Sequence, residues 1–152
     1  RAKSAVGVTG LLLVKRADIL LAFERCGIQP TSQRIEVAGI LLEKAQHLSA
    51  DQIIDRLRDK GSRVSKATDY NTLNLFGERG LVTEIIVDPE RRYYDSNTEK
   101  HHHFYNVDTG RLTDIPRDSI KVSQIPECPD GGALESIEVL VKIRNPGAEK
   151  CG

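Results

Sequence analysis

Four predicted helices joined by short turns occupy the first 80 residues, and a predicted β-hairpin follows them directly. The third helix has the clearest ends, because Ser49 and Gln52 form a capping box before an apolar stripe and Gly61 stops the pattern. Ser65 caps the fourth helix, which carries apolar side chains at intervals of three and ends at Gly80. Helices followed by a hairpin are typical of a winged helix-turn-helix.

The remaining elements of this half are predicted from breaks in the apolar periodicity. Residues 12–26 form the first helix, which Gly27 ends, and Pro30 with Thr31 and Ser32 starts a second helix that ends near Lys44. Residues 81–87 and 92–94 are the hairpin strands, joined by turn residues 88–91.

After Asp95 the sequence becomes richer in histidine, proline and polar residues, with short strand candidates at residues 104–107, 112–115 and 136–143. A unit of about 57 residues rarely buries enough apolar surface alone, so we expect its core to be completed by a second subunit. The predicted fold class is α+β, with an N-terminal winged helix-turn-helix followed by a small α/β domain.

Composition excludes several classes of protein. The 22 basic and 22 acidic residues balance, and cutting after Asp95 leaves halves of +2 and −2, so charge alone does not indicate nucleic-acid binding. No apolar run approaches the ~20 residues of a membrane span, and we expect a cytoplasmic protein that does not bind membranes. Cys26, Cys128 and Cys151 form no Cys-x-x-Cys pair, which argues against a disulfide framework and a cysteine zinc site.

The start of the fourth helix carries side chains suited to DNA. Lys66, Thr68, Tyr70 and Asn71 lie where a recognition helix meets base edges and phosphates, and Arg34 and Arg63 add cations for the backbone. Asparagine can pair bidentately with adenine. The alternative is a solvated helix face with Tyr70 half-buried between helices.

A candidate metal site surrounds three consecutive histidines. On a strand, His101 and His103 would point the same way while His102 points elsewhere. Asp95 precedes the run by six residues, Asp114 lies on the next strand candidate, and His47 reaches the site only if the helical half folds back. Imidazole and carboxylate ligands suit Fe²⁺, Mn²⁺ or Zn²⁺. The alternatives are an exposed histidine loop and a surface His47.

Taken together, these segments resemble the ferric uptake regulator family over about residues 20–143. The resemblance rests on GIQPTSQR at residues 27–34, HLSA at 47–50, SKATDYNTL at 65–73, Asp95 and the histidine run. It implies a dimeric, metal-dependent transcriptional repressor that binds palindromic double-stranded DNA.

The resemblance also assigns residues and domains. Its regulatory metal site falls on His47, Asp95, His101, His103 and Asp114, with Fe²⁺ or Mn²⁺ as the expected ion and Zn²⁺ as an occupant in crystals. Its recognition helix falls on residues 67–79. We therefore predict a DNA-binding domain over residues 1–95, with 1–10 a candidate disordered tail, and a dimerisation and metal-sensing domain over residues 96–152.

The sequence departs from the family pattern at several positions. The first cysteine pair of the family's structural zinc site would fall at Asn106 and Thr109, so we expect no structural zinc. Only His102 remains for the family's further metal site. Asp69 replaces a small apolar residue, so it is either buried at a cost unless paired or faces phosphates with the wrong sign. Gln29 replaces a basic residue that some members insert into a minor groove.

Three readings of the function follow. Asp95 and Asp114 resemble the peroxide regulator branch, in which ferrous iron and peroxide oxidise a ligand histidine, here His47 or His101. Residues 94–98 before the histidines resemble still more the iron response regulator branch, which implies a haem- or iron-responsive regulator that binds DNA without metal, with Cys128-Pro129 as the candidate haem motif. The third reading is a metal-binding module whose DNA binding Asp69 impairs.

An enzyme is the remaining rival class. A His and carboxylate metal site with an open position could serve a small hydrolase. Five protein ligands leave little room for a substrate, and no nucleophile is placed beside them, so we expect no enzymatic activity.

Overall fold

The computed structural model describes residues 16–99 and 101–147. These divide into an N-terminal unit that ends at Thr98 and a C-terminal unit that begins at Glu99. The candidate tail at residues 1–10, the predicted helix start at residues 12–15 and Cys151 lie outside the described residues. No helix of the described part of the chain is long and apolar enough to cross a membrane.

The described residues of the N-terminal unit form four α-helices: α1, Arg16–Cys26; α2, Ser32–Leu41; α3, Ala50–Asp59; and α4, Lys66–Glu78. Their apolar faces share one core, in which the rings of Phe23 and Phe76 lie 5.6 Å apart. The predicted capping box of α3 is confirmed, since Ser49 and Gln52 each bond the other's backbone N–H. The helix predictions are therefore confirmed, apart from some ends.

One predicted helix end was wrong, because α2 stops at Leu41 rather than near Lys44. The reason is a side-chain cap: the Gln46 amide donates to the carbonyls of Ile40 and Leu41, at 2.8 and 3.3 Å. These bonds satisfy carbonyls that a longer helix would have used.

Three antiparallel strands complete the N-terminal unit: β1, His47–Ser49; β2, Thr83–Asp88; and β3, Arg91–Asp95. The sheet order is β1-β3-β2. β2 and β3 are the predicted hairpin, with a register irregularity between Ile86 and Asp88. β1 was not predicted, because three residues carry too little pattern and the strand is defined by its pairing with β3.

The C-terminal unit contains a second sheet: β4, His102–Asn106; β5, Leu112–Ile115; and β6, Leu140–Ile143. β4 is central, antiparallel to β5 and parallel to β6. The prediction for β5 is confirmed, β4 begins two residues earlier than predicted, and β6 is shorter at its start. Between β5 and β6 the described regular structure consists of two single-turn 3₁₀ helices, Arg117–Ser119 and Pro129–Gly131.

Candidate functional site

A His–Asp pair lies across two strands of the N-terminal sheet. β1 pairs with β3 so that His47 is directly opposite Asp95, and His47 Nε2 is 3.1 Å from Asp95 Oδ2. The Asp95 carboxylate is only 2% exposed, and its Oδ1 accepts the Asn97 N–H at 2.9 Å. The short strand β1 therefore fixes His47 against a buried carboxylate.

A second His–Asp cluster lies on the C-terminal sheet and is built in the same way. His103 on β4 is directly opposite Asp114 on β5, and His103 Nε2 is 3.4 Å from Asp114 Oδ1. His101, just before β4, places its Nε2 2.9 Å from the same oxygen. The two imidazole rings are 4.4 Å apart, and the three residues offer ligand atoms within 4.8 Å of one another.

His102 has a different role from its neighbours. Its Nδ1 accepts the Val139 N–H at 3.0 Å, and His103 N–H donates to the Val139 carbonyl at 3.1 Å. The His102 ring thus helps to hold the segment leading into β6. Because its Nδ1 lone pair accepts this hydrogen bond, His102 is poorly placed to bind a metal at the family's further metal site.

The ligand chemistry of the C-terminal cluster fits a divalent cation. His101 has an acceptor beside each ring nitrogen, because Nδ1 faces the Glu99 carbonyl and Nε2 faces the Asp114 carboxylate. A neutral ring has one N–H and satisfies one of these acceptors. If that proton is on Nδ1, it is donated to the Glu99 carbonyl, and the Nε2 lone pair then faces the Asp114 carboxylate. A cation between Nε2 and the carboxylate would bind both. Histidines that bind metals through one ring nitrogen commonly donate the other N–H to a carbonyl in this way.

The predicted DNA-binding residues surround the start of α4, where Ser65 Oγ accepts the Thr68 N–H at 3.2 Å. Three of them, Arg34, Thr68 and Asn71, line one groove between the start of α2 and the exposed face of α4. Arg63 and Lys66 are exposed and do not line it. The residues that line the groove are polar or charged apart from one leucine; they are Thr31, Gln33, Arg34, Thr68, Asn71, Thr72, Asn74, Leu75 and Glu78.

Tyr70, the sixth predicted DNA contact, reaches towards α3 instead of the groove. Its hydroxyl donates to Asp51 Oδ1 at 3.2 Å, and the residue is 38% exposed. Partial burial and the neighbouring Asp51 carboxylate both raise the pKa of the Tyr70 hydroxyl, so it stays protonated and remains a donor. The hydroxyl end of the Tyr70 side chain is therefore held by Asp51, while part of the ring remains accessible to solvent.

Asp69, which departs from the family pattern, is buried and paired. It is 1% exposed, and its Oδ2 lies 3.4 Å from Nη1 of Arg58 in the last turn of α3. Burial raises the pKa of the Asp69 carboxyl, and the Arg58 guanidinium opposes that shift. The carboxylate thus belongs to the α3–α4 contact and does not face the groove.

Sequence reasoning missed Asp51 and Arg58, and also Thr31, Gln33 and Asn74 in the groove. Asn74 had a usable signal, since it follows Asn71 by three residues on one helix face. Asp51 and Arg58 had none, because their partners lie on another helix and depend on how the two helices pack.

Comparisons with known proteins identify the family of this chain. Residues 25–141 match the model of the ferric uptake regulator family. The chain is 30% identical over 98 residues to the peroxide-responsive repressor PerR of Staphylococcus epidermidis, a match that covers 64% of this chain and 65% of that protein, just under two thirds. It is 30% identical over 105 residues to the ferric uptake regulation protein of Escherichia coli K12, covering 68% of this chain and 71% of that protein.

Solved structures share the fold. The Pseudomonas aeruginosa ferric uptake regulator with manganese has a TM-score of 0.64 at 22% identity, covering 84% of this chain and 97% of that one. The Vibrio cholerae ferric uptake regulator has a TM-score of 0.65 at 20% identity, covering 84% of this chain and all of that one. The family match spans most of the sequence, and the chain therefore belongs to the ferric uptake regulator family.

Proposed function

We propose that this chain is a metal-responsive transcriptional repressor that binds palindromic double-stranded DNA as a homodimer. The observation that supports this most is the repeated His–Asp device: His47 opposite Asp95 on one sheet, and His103 opposite Asp114 on the other. Two unrelated strand pairs carry the same ligand types at register positions. The polar groove along α4 supplies a surface suited to DNA.

In this proposal one divalent cation is held by His47, Asp95, His101, His103 and Asp114. When bound, a cation supplies a positive centre that neutralises both carboxylates. The imidazoles would bind the cation as neutral rings, and the Glu99 carbonyl beside His101 Nδ1 would favour the tautomer that leaves Nε2 as the ligand. In the proposal, two ligands come from the N-terminal unit and three from the C-terminal unit. Metal binding therefore links the conformation of the C-terminal unit to that of the N-terminal unit, which binds DNA.

The recognition surface is proposed to be α4 together with the start of α2. Asn71 reads a base edge from the groove, Thr68 and Arg34 contact the DNA backbone from the groove walls, and Lys66 and Arg63 neutralise phosphates from outside it. The reading as a module with impaired DNA binding depended on an Asp69 that is either buried without a partner or faces phosphates. Because Asp69 is buried against Arg58, that reading loses its supporting observation.

Fe²⁺ or Mn²⁺ is the proposed physiological ion, from the mixed nitrogen and oxygen ligand set. A peroxide response is a finer proposal, supported by the two aspartate ligands and the similarity to PerR. In that response, one oxygen atom of hydrogen peroxide would be added to the ring of His47 or His101 and the other would leave as water, with Fe²⁺ supplying the redox chemistry when bound. Peptide masses should then rise by one oxygen at either histidine as DNA binding is lost, and unmodified peptides after that loss would refute it.

The regulator proposal is tested by anaerobic fluorescence anisotropy with two DNA sources: the region upstream of the protein's own coding sequence, and duplexes selected in vitro from a random library. We expect Mn²⁺ or Fe²⁺ to raise affinity and a chelator to reverse the effect. Strong metal-free binding that haem or iron weakens would instead support the haem-responsive alternative, with Cys128 as its candidate ligand. Absence of binding to both DNA sources under every condition would overturn DNA recognition.

A further inference from the structure

The turn after β4 occupies the positions at which the family resemblance places the first cysteine pair of a structural zinc site. Here those positions hold Asn106 and Thr109, whose oxygens are not the thiolate or imidazole ligands that structural zinc uses. Both oxygens are also committed: Asn106 Oδ1 accepts the N–H groups of Asp108 and Thr109 at 2.8 and 3.1 Å, and Thr109 Oγ1 accepts that of Arg111 at 3.2 Å. A structural zinc does not fit this turn.

The same turn is bonded to a distant part of the chain. Asn106 Nδ2 donates to Asn145 Oδ1 at 2.9 Å, and the Asn145 N–H donates to Asp108 Oδ2 at 2.8 Å. Beside them, the Val107 N–H donates to the Ile143 carbonyl at 2.8 Å. These bonds connect the segment after β4 to the segment after β6, 36 to 39 residues further along the chain.

We propose that Asn106, Asp108 and Asn145, here named the asparagine staple, replace a structural metal as the cross-link of the C-terminal unit. Asn106 is suited to the role, because its amide oxygen uses both lone pairs within the turn while its amide nitrogen reaches across to Asn145. The staple closes the long connection between β4 and β6, whose ordering carries an entropic cost.

A functional consequence follows, which rests on the proposed function. If the C-terminal unit needs no structural metal, the chain holds one ion per protomer, at the regulatory ligands alone. The regulatory ion can then leave without unfolding the unit, and chelation switches DNA binding reversibly.

The first test uses the full chain, loaded with Mn²⁺ and then treated with a chelator. We expect one metal ion per chain before treatment, none after it, and unchanged hydrogen-exchange protection in peptides covering residues 105–111 and 140–147. A zinc ion that copurifies and resists the chelator, or loss of protection on metal removal, would overturn the staple.

The second test breaks the staple directly, in metal-free protein. Asn106→Ala and Asn145→Ala should each speed exchange of residues 140–147 by roughly tenfold, and the double variant should do little more, because both act on one network. Thr109→Ala is the matched control, since it removes a bond local to the turn. Equal exchange rates in Asn145→Ala and Thr109→Ala would contradict the proposal. These readouts do not involve DNA, so they stand or fall separately from the regulator proposal.

Discussion

At the residue scale, consecutive side chains of α4 contact opposite ends of α3. Asp69 pairs with Arg58 in the last turn of α3, and Tyr70 donates to Asp51 in the first turn. The two contacts differ in energetic character. The Asp69 carboxylate is almost completely shielded from solvent, whereas the Tyr70 contact is at the surface and contributes little to stability.

Arg58→Met leaves the Asp69 carboxylate buried without its guanidinium, and we predict a loss of about 2 kcal/mol in the free energy of unfolding at pH 7. Asp69→Val should be neutral or stabilising, because Arg58 is 36% exposed and can be solvated. Burial raises the pKa of Asp69, so its ionised form is disfavoured in the folded state. The loss in free energy of unfolding caused by Arg58→Met should therefore shrink as pH falls towards 4, because a protonated Asp69 carries no charge for Arg58 to neutralise.

Urea denaturation at pH 7 and pH 4.5 checks this prediction. The prediction is contradicted if the loss in free energy of unfolding in Arg58→Met does not change with pH. It is also contradicted if Asp69→Val is less stable than the wild type.

The proposed metal ligands give a second prediction at this scale. Asp95→Ala or His103→Ala should abolish the Mn²⁺-dependent part of DNA affinity, because each removes one half of an opposed His–Asp pair. Asp118→Ala, which removes an exposed carboxylate on the 3₁₀ helix after β5, is the control and should keep the full response. The proposed site is wrong if both ligand variants still respond to Mn²⁺ as the control does.

At the element scale, the helices could be predicted because caps, stop signals and apolar periodicity are local in sequence. The resemblance and the alternation along the histidine run also predicted a set of metal ligands, and that set stays a prediction. What could not be predicted depends on contacts between distant segments: β1 exists through its pairing with β3, Asp69 is neutralised by Arg58, and Asn106 meets Asn145. None of these leaves a periodic signal.

The proposed recognition helix, α4, yields a prediction that separates two kinds of DNA contact. Lys66→Ala should weaken binding to all sequences alike and lower the salt slope by about one, because Lys66 is exposed outside the groove. Asn71→Ala should cost about 1–3 kcal/mol on the operator and nothing on random DNA. Anisotropy titrations on both duplexes at several salt concentrations measure this, and reversed behaviour of the two variants would contradict the assignment.

At the scale of the whole molecule, the proposed ligand set draws residues from both units. A ligand set shared in this way makes metal binding and DNA binding thermodynamically linked, and linkage between equilibria is reciprocal. DNA must therefore strengthen metal binding by the same factor as metal strengthens DNA binding. Storage of metal beside an unrelated DNA site would not produce this reciprocity.

The most direct measurement is the affinity for Mn²⁺, determined anaerobically by competition with a chelating dye, with and without saturating operator. We predict that the operator raises Mn²⁺ affinity by the same factor as Mn²⁺ raises operator affinity, about 5- to 150-fold. An Mn²⁺ affinity that stays the same when the operator is bound would show that metal binding and DNA binding are not linked.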